Sequence, residues 1–414
     1  MKILTDIMNK YNQKLGDFVI INPESMGKDY PYTEIEYVEI SSIGSGTLEG
    51  TNITSVENAP SRAKRIVKHG DTILSTVRPN RRSFLFIKQP PKNMIVSTGF
   101  AVLRPSKELD PRYLYCLIRQ QKFTDYLANN AKGAAYPAVD SDTIKRAELF
   151  IPPLLTQQKI ASILSAYDDL IENNTRRIHI LEDMAQAIYR EWFVHFRFPG
   201  HEDVKLVGSE LGMTPEGWNI VEAGNRFIVL LGGTPSTKVD KYWQNGTVAW
   251  INSSKVNEFR VIDETEFITE EALSNSSAKL LPKRSTLIAI TGATLGQVSL
   301  LEIEAAANQS IVGVYDNEGY FGEYLYLKFC EIIEKLIGKA SGSAQQHINK
   351  GVVADTQLLI PNKPVISKFR IIIRPYFDLV VNLMYKNKNL RLTRDLLLPR
   401  LISGELDVRN LNVG

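Results

Sequence analysis

Apolar residues recur in alternating steps of three and four between Thr156 and Phe196, at Ile160, Leu164, Tyr167, Ile171, Ile178, Leu181, Ala185, Ile188 and Trp192. That spacing is a heptad seam, and it predicts a long helix with one apolar stripe. The signature returns at Phe369, Ile373, Tyr376, Val380, Leu383, Leu390, Leu397 and Leu401. Each stripe needs an apolar cover, and each is the economical cover for the other. A helix of about 40 residues would be about 60 Å long. Pro375 predicts a kink, or the start of the main part of the second helix, because its ring removes a backbone donor and crowds the preceding turn. Asn174 and Asn387 interrupt the two seams. A buried polar residue there can fix register at a cost in stability, and a frayed or wet position would look the same in sequence.

The stretches outside these helices read differently. Short β-branched and aromatic runs, Thr72 to Val77, Ser83 to Ile87, Leu287 to Thr291 and Ser310 to Val314, are separated by Pro, Gly and Asn turns and predict strands. Helices are predicted over Pro111 to Asn129, opening at a proline that suits the first turn, and over Gly322 to Ile337. The fold class is therefore α+β.

The chain is also written twice. Between 151 and 193, sliding the sequence by 209 positions gives nine identities in 43 without a gap, among them Lys159 with Lys368, Tyr167 with Tyr376 and Asp169 with Asp378. Upstream, Tyr37–Ser42 parallels Trp250–Lys255, Asp71–Leu74 parallels Ser285–Ile288, and Gly133–Tyr136 parallels Gly342–Gln345, with drifting offsets. The order is domain, connector, domain, connector, with boundaries at 1–153, 154–205, 206–361 and 362–414.

Composition narrows the function classes. Of 414 residues 43% are hydrophobic and 23% charged, a globular profile. Apolar runs such as Phe227 to Leu231 are too short for a membrane span, and Met1 to Leu15 lacks a signal-peptide core, so a cytoplasmic location is expected. Cys116 and Cys330 are the only cysteines and the five histidines are scattered, so neither a disulfide framework nor a metal site is expected. The net charge of +3 says little, but from Glu57 to Lys92 nine basic residues face two acidic ones, which predicts a basic patch.

Catalytic signatures are missing. Gly232-Gly233-Thr234-Pro235-Ser236-Thr237-Lys238 misplaces the second glycine of a phosphate loop and reads as a turn. Gly292-Ala293-Thr294-Leu295-Gly296 lacks the third glycine and ribose-binding acid of a dinucleotide site. No nucleophile elbow or zinc-protease helix is present, nor an aromatic-flanked Asn-Pro-Pro segment of the amino-methyltransferase kind. A duplicated chain of this size without such a constellation is expected to bind and position; it carries no cofactor expectation.

Several segments, taken in order, carry a resemblance. Ile151-Pro152-Pro153-Leu154-Leu155-Thr156-Gln157-Gln158-Lys159-Ile160, Asp168–Asn174, Trp192-Phe193, Thr214-Pro215-Glu216-Gly217-Trp218, Gly232–Ser236, Gly342–Gln346 and Leu397–Leu406 together resemble type I restriction-modification specificity subunits, over essentially the whole chain. The resemblance implies a non-enzymatic subunit with two target recognition domains, each reading half of a split double-stranded DNA site. It also implies two long helices that dock two methyltransferase subunits, with restriction subunits joining through the complex. S-adenosylmethionine and nucleotide sites would lie on those partners. Two similar α/β domains alternating with two helical connectors that pack as an antiparallel coiled coil can form a pseudo-twofold body. Such a body would specify a non-palindromic bipartite target with a fixed spacer.

For base reading in the first domain, Arg78, Asn80, Arg81 and Arg82 are the candidates, since Arg grips guanine bidentately and Asn pairs with adenine. Lys64, Arg65 and Lys68 suit phosphates. A merely solvated basic surface is the alternative for both groups. Tyr136 could stack or pack. In the second domain the candidates are Gln345, Gln346 and His347, flanked by Lys339, Asn349 and Lys350, with Lys238, Ser253, Ser254 and Lys255 weaker; the glutamines could instead serve the fold of their own loop. Tyr189, Trp192 and Phe193 are candidates to anchor a protein partner, or to pack in the core. The alternatives for the whole chain are a nuclease or methyltransferase with an unrecognised active site, and a duplicated interaction scaffold without a DNA role.

Overall fold

The computed structural model describes residues 11–133, 135–338 and 347–408. The chain forms two compact units. The first takes the chain up to Glu172 together with the segment from Asn389 onward, and the second takes Asn173–Lys388.

In the first unit, one antiparallel sheet has the order Val19–Ile21, Phe100–Pro105, Thr72–Ser75, Phe84–Phe86. A second sheet runs Asn52–Ser55, Glu34–Val38, Met94–Ser97, Ala63–Ile66, with a parallel pair at its centre. Thr72–Ser75 is buried at every position, as expected of a strand covered on both faces. The second unit repeats the plan. Ile228–Leu231, Ile311–Tyr315, Thr286–Ala289 and Val298–Leu301 form the counterpart of the first sheet, extended by Arg260–Val261. Glu266–Ile268, Val248–Ile251, Ala305–Ala307 and Leu280–Leu281 form the counterpart of the second. The duplication seen in sequence is thus a duplication of strand order.

The predicted helix Gly322–Ile337 forms as expected. The helix expected over Pro111 to Asn129 is instead two, Pro111–Ile118 and Gln121–Asn129. Gln120 is extended (φ −63°, ψ 137°) and ends the first helix. Just before it, Arg119 is buried: its guanidinium meets Asp168 at 2.7 Å and its carbonyl accepts a hydrogen bond from Arg82 at 2.6 Å. Asp110 caps the first of these helices by accepting from the amides of Arg112 and Tyr113, both at 2.9 Å, with Pro111 following at the position where no donor is needed. Asp110→Ala is expected to cost about 1 kcal/mol, visible as faster amide hydrogen exchange at Arg112 and Tyr113.

The two heptad segments are the helices Leu154–Tyr189 and Lys363–Ile402. The second runs unbroken through Pro375, so that residue does not start it. Within the second unit, Asn174 donates to Asn387 at 2.9 Å and Asn387 donates to Thr175 at 3.2 Å, while Ile178 packs with Val380 and Leu383. The two asparagines therefore face each other. A pairing of this kind holds in one register only, because a slip would bury each amide against an apolar neighbour. Within the first unit, Asp168 accepts from Arg394 at 2.7 Å, and Ile160 and Leu164 share a core with Leu398, Leu401 and Ile402. In both units the segments run antiparallel. Among the described residues no helix is long and apolar enough to cross a membrane.

Candidate nucleic-acid interface

In the first unit, the turn between Thr72–Ser75 and Phe84–Phe86 carries four of the candidates. Pro79–Arg81 is a 3-10 turn flanked by left-handed residues, Arg78 at φ 50° and Arg82 at φ 55°. Backbone of this kind is unfavourable for a side chain with a Cβ and persists where the surroundings impose it. Here a neighbouring loop does so. The Arg78 amide donates to the Pro137 carbonyl at 2.7 Å, and Ala138 bridges to both Val77 and Lys132. The Arg78 guanidinium lies over the Tyr136 ring, 4.4 Å from its centroid, and Tyr136 is 68% exposed. Stacking fixes a long cation at low entropic cost and leaves its edge donors open. Asn80 and Arg81 are exposed beside it. Arg78, Asn80, Arg81 and Tyr136 form one solvent-facing group.

Arg82 is turned away from that group. Its guanidinium donates to the Gln121 side chain and the Arg119 carbonyl, so its planar fork is spent on bracing the turn to the helices behind it. Arg119 in turn pairs with Asp168 of the first long helix, and Asp168 with Arg394 of the second.

The basic patch is also smaller than its sequence count. Lys68 pairs with Glu24 at 2.5 Å, and Lys88 with Asp169 and Glu172 at 3.2 and 3.1 Å. Hydrogen bonds from Lys68 and then Arg104 hold the Glu24 carboxyl below its usual range. Lys68 keeps an exposed side chain beside this carboxylate, so part of its charge is offset locally. Arg65 is half-buried, with its Nε shielded from solvent. Lys64 remains exposed, its backbone tied to Ser25 and Met26.

In the second unit, Lys339, Gln345 and Gln346 lie outside the described residues. His347 and Lys350 are exposed, and Asn349 caps the helix Lys350–Ala354 by accepting from the Val352 amide at 2.9 Å. Lys238 is exposed. Ser253–Asn257 is a 3-10 turn capped by Asn252, to whose side chain Ser254 donates at 2.6 Å, and Lys255 pairs with Asp263. Gly232 and Gly233 sit where backbone meets backbone. A Cβ at Gly232 would stand 2.1 Å from the Asn308 carbonyl, so this motif serves packing.

Tyr189, Trp192 and Phe193 are buried in the core of the second unit and do not present a surface to a partner. Tyr189 donates to Glu331 at 2.7 Å, and Phe193 meets Phe369, Tyr324 and Trp218 with ring centroids at 4.7, 5.0 and 5.8 Å. Their aromatic area is consumed by the end of the long helix docking on its own domain. Exposed apolar residues lie elsewhere on that helix. Leu155, Leu170, Ile180 and Met184 are 68, 52, 50 and 41% exposed. Leu155 and Leu170 belong to the first unit, and Ile180 and Met184, four positions apart on one helix face, to the second. On the second long helix Ile371, Leu392 and Leu396 are 74, 56 and 70% exposed. These were not singled out from the sequence, because the heptad pattern draws attention to the opposite face.

Comparison with known proteins places these features. A profile of the family described as Type I restriction modification DNA specificity domain matches residues 8–183 and again 215–378. The HindI specificity subunit of Haemophilus influenzae is 26% identical over 437 residues, covering 91% of this chain and 95% of that protein. The MjaIX specificity subunit of Methanocaldococcus jannaschii is 26% identical over 346 residues, covering 82% and 78%. Among solved structures, the type I restriction-modification S subunit from M. genitalium matches with a TM-score of 0.56 at 15% identity, covering 94% of this chain and 95% of that one, a likeness of fold.

Proposed function

We propose, from the premise that this chain belongs to the type I restriction modification DNA specificity family, that it is the sequence-reading subunit of such a complex. It binds a bipartite, non-palindromic double-stranded DNA site, one half to each unit. The observation that carries this reading is the duplicated fold, which in the first unit holds Arg78, Asn80 and Arg81 outward on one braced turn, with Tyr136 of the neighbouring loop against Arg78. The recognition domains are 1–153 and 206–361, and the helical spacers are 154–205 and 362–414. Methylation and restriction belong to partner chains, and this subunit brings no cofactor of its own.

Two methyltransferase subunits dock on the long helices, and restriction subunits join through that complex in the cytoplasm. In the second unit the exposed Ile180 and Met184, four positions apart on one face of the long helix, support helical docking. A scaffold without a DNA role is less well supported, since it leaves the strained, outward-held Arg78 without a purpose.

The test is single-molecule sequencing of methylated adenine in cells that carry the partner subunits, with and without this gene. One split motif with a constant spacer should lose methylation on both strands when the gene is removed. An unchanged methylation map in cells shown to make the partner subunits would overturn the reading.

A further inference from the structure

Gly292-Ala293-Thr294-Leu295-Gly296 stands in the second unit where Arg78–Arg82 stands in the first. Each segment joins the same two strands of the repeated sheet, Thr72–Ser75 to Phe84–Phe86 in one and Thr286–Ala289 to Val298–Leu301 in the other. Each contains a 3-10 turn and two left-handed residues four positions apart, Arg78 and Arg82 in the first, Gly292 (φ 74°) and Gly296 (φ 84°) in the second. Each is flanked by a returning chain held by the same bond. The Val139 amide donates to Thr76 at 2.9 Å in the first unit, and the Ile348 amide donates to Ile290 at 2.9 Å in the second. In both, the chain then enters a short helix capped by the next residue, Asp140 or Asn349.

We propose that Gly292–Gly296, with the adjoining Gln297, is the base-reading turn of the second unit, and that it recognises an A·T pair. The proposal rests on the DNA-reading function proposed above. The turn has no cation, so it cannot grip guanine as Arg78 can. Ala293 and Gln297 are exposed, and a Cβ built at Gly292 would meet nothing within 4 Å, so the turn has free approach. Gln matches the donor and acceptor of adenine's major-groove edge, and the methyl groups of Ala293 and Thr294 suit that of thymine. A turn that reads with Ala293, Thr294 and Gln297 needs no side chain at Gly292, and glycine takes that left-handed position without strain. At Gly296 a Cβ would stand 2.4 Å from Ile337, so that glycine seats the turn on the helix Gly322–Ile337.

The test uses the complete complex with its methyltransferase subunits, the genomic target site as duplex probe, and methylated-adenine sequencing. Ala293→Glu, which sets a negative charge on the turn, should weaken target binding about tenfold or more. Gln297→Ala should relax one A·T position in the half-site that Arg78→Gly leaves intact. The tryptophan emission of the second unit should be unchanged in both variants, since neither residue is in the core. Wild-type affinity and an unaltered motif in both variants, while Arg78→Gly still alters its own half-site, would overturn this inference alone. A wild-type complex that bound no sequence selectively would instead overturn the proposed function itself.

Discussion

Replacing Arg260 with alanine is expected to cost the second unit about 3–5 kcal/mol. Arg260 is fully buried between the rings of Tyr326 and Phe377, 4.3 and 4.2 Å from their centroids. Its Nη2 meets Glu182 at 2.6 Å and its Nη1 donates to the Phe259 carbonyl at 2.8 Å, while Glu302 stands at 3.8 Å. Burial pushes the Glu182 carboxyl above its usual range, against the attraction of Arg260, so the site is tolerable only while the guanidinium is present. Alanine removes that charge, strands a carboxylate and leaves a cavity between two rings, and the terms add. The measurement is the urea midpoint followed by tryptophan emission. All four tryptophans, Trp192, Trp218, Trp243 and Trp250, lie in the second unit, so the signal reports that unit. Arg260→Met with Glu182→Leu, which removes the pair together, should unfold later than Arg260→Ala, by at least about 1 kcal/mol. Equal midpoints for the single and double variants would show that the pair is not what holds this region.

The second large effect concerns Arg78. Arg78→Gly removes the guanidinium but relieves a left-handed backbone that glycine adopts freely, so stability should hold or rise slightly. Target affinity should fall about 10- to 100-fold, the range of one lost bidentate base contact. The pattern across sequences decides the role. A loss confined to one base position marks a base contact, whereas a uniform loss with a shallower salt dependence marks a phosphate contact. Unchanged affinity would remove Arg78 from the interface.

Much of the architecture was legible because it rests on periodicity, which is local. The heptad seams, the helix Gly322–Ile337 and the repeat unit all depend on residues close in sequence. The facing asparagines of the two seams were legible as positions, though only the structure pairs Asn174 with Asn387. What escaped depends on distant partners. Lys68 lies beside Glu24 and Lys88 beside Asp169 and Glu172, all outside the window in which the positive charge was counted. Arg82 looks like Arg81 until the helix junction at Arg119 is known. Tyr189, Trp192 and Phe193 carry aromatic area suited equally to an interface or a core, and Phe369 and Trp218 settle the matter from far along the chain. Gly292–Gly296 reads as a failed cofactor loop on its own, and gains meaning only when its hairpin is laid over that of Arg78–Arg82.

The first unit is discontinuous in sequence, closing with residues from Asn389 onward, whereas the second is a single run from Asn173 to Lys388. During synthesis the order of completion is therefore reversed. The unit whose translation begins later has all its residues when Lys388 leaves the ribosome, while the unit begun first still lacks Leu398, Leu401 and Ile402, which belong to its core. Until those arrive, the core that Ile160 and Leu164 share with them is incomplete on the nascent chain. A premature stop after Lys388 would damage the N-terminal half of the protein and spare the half nearer the stop.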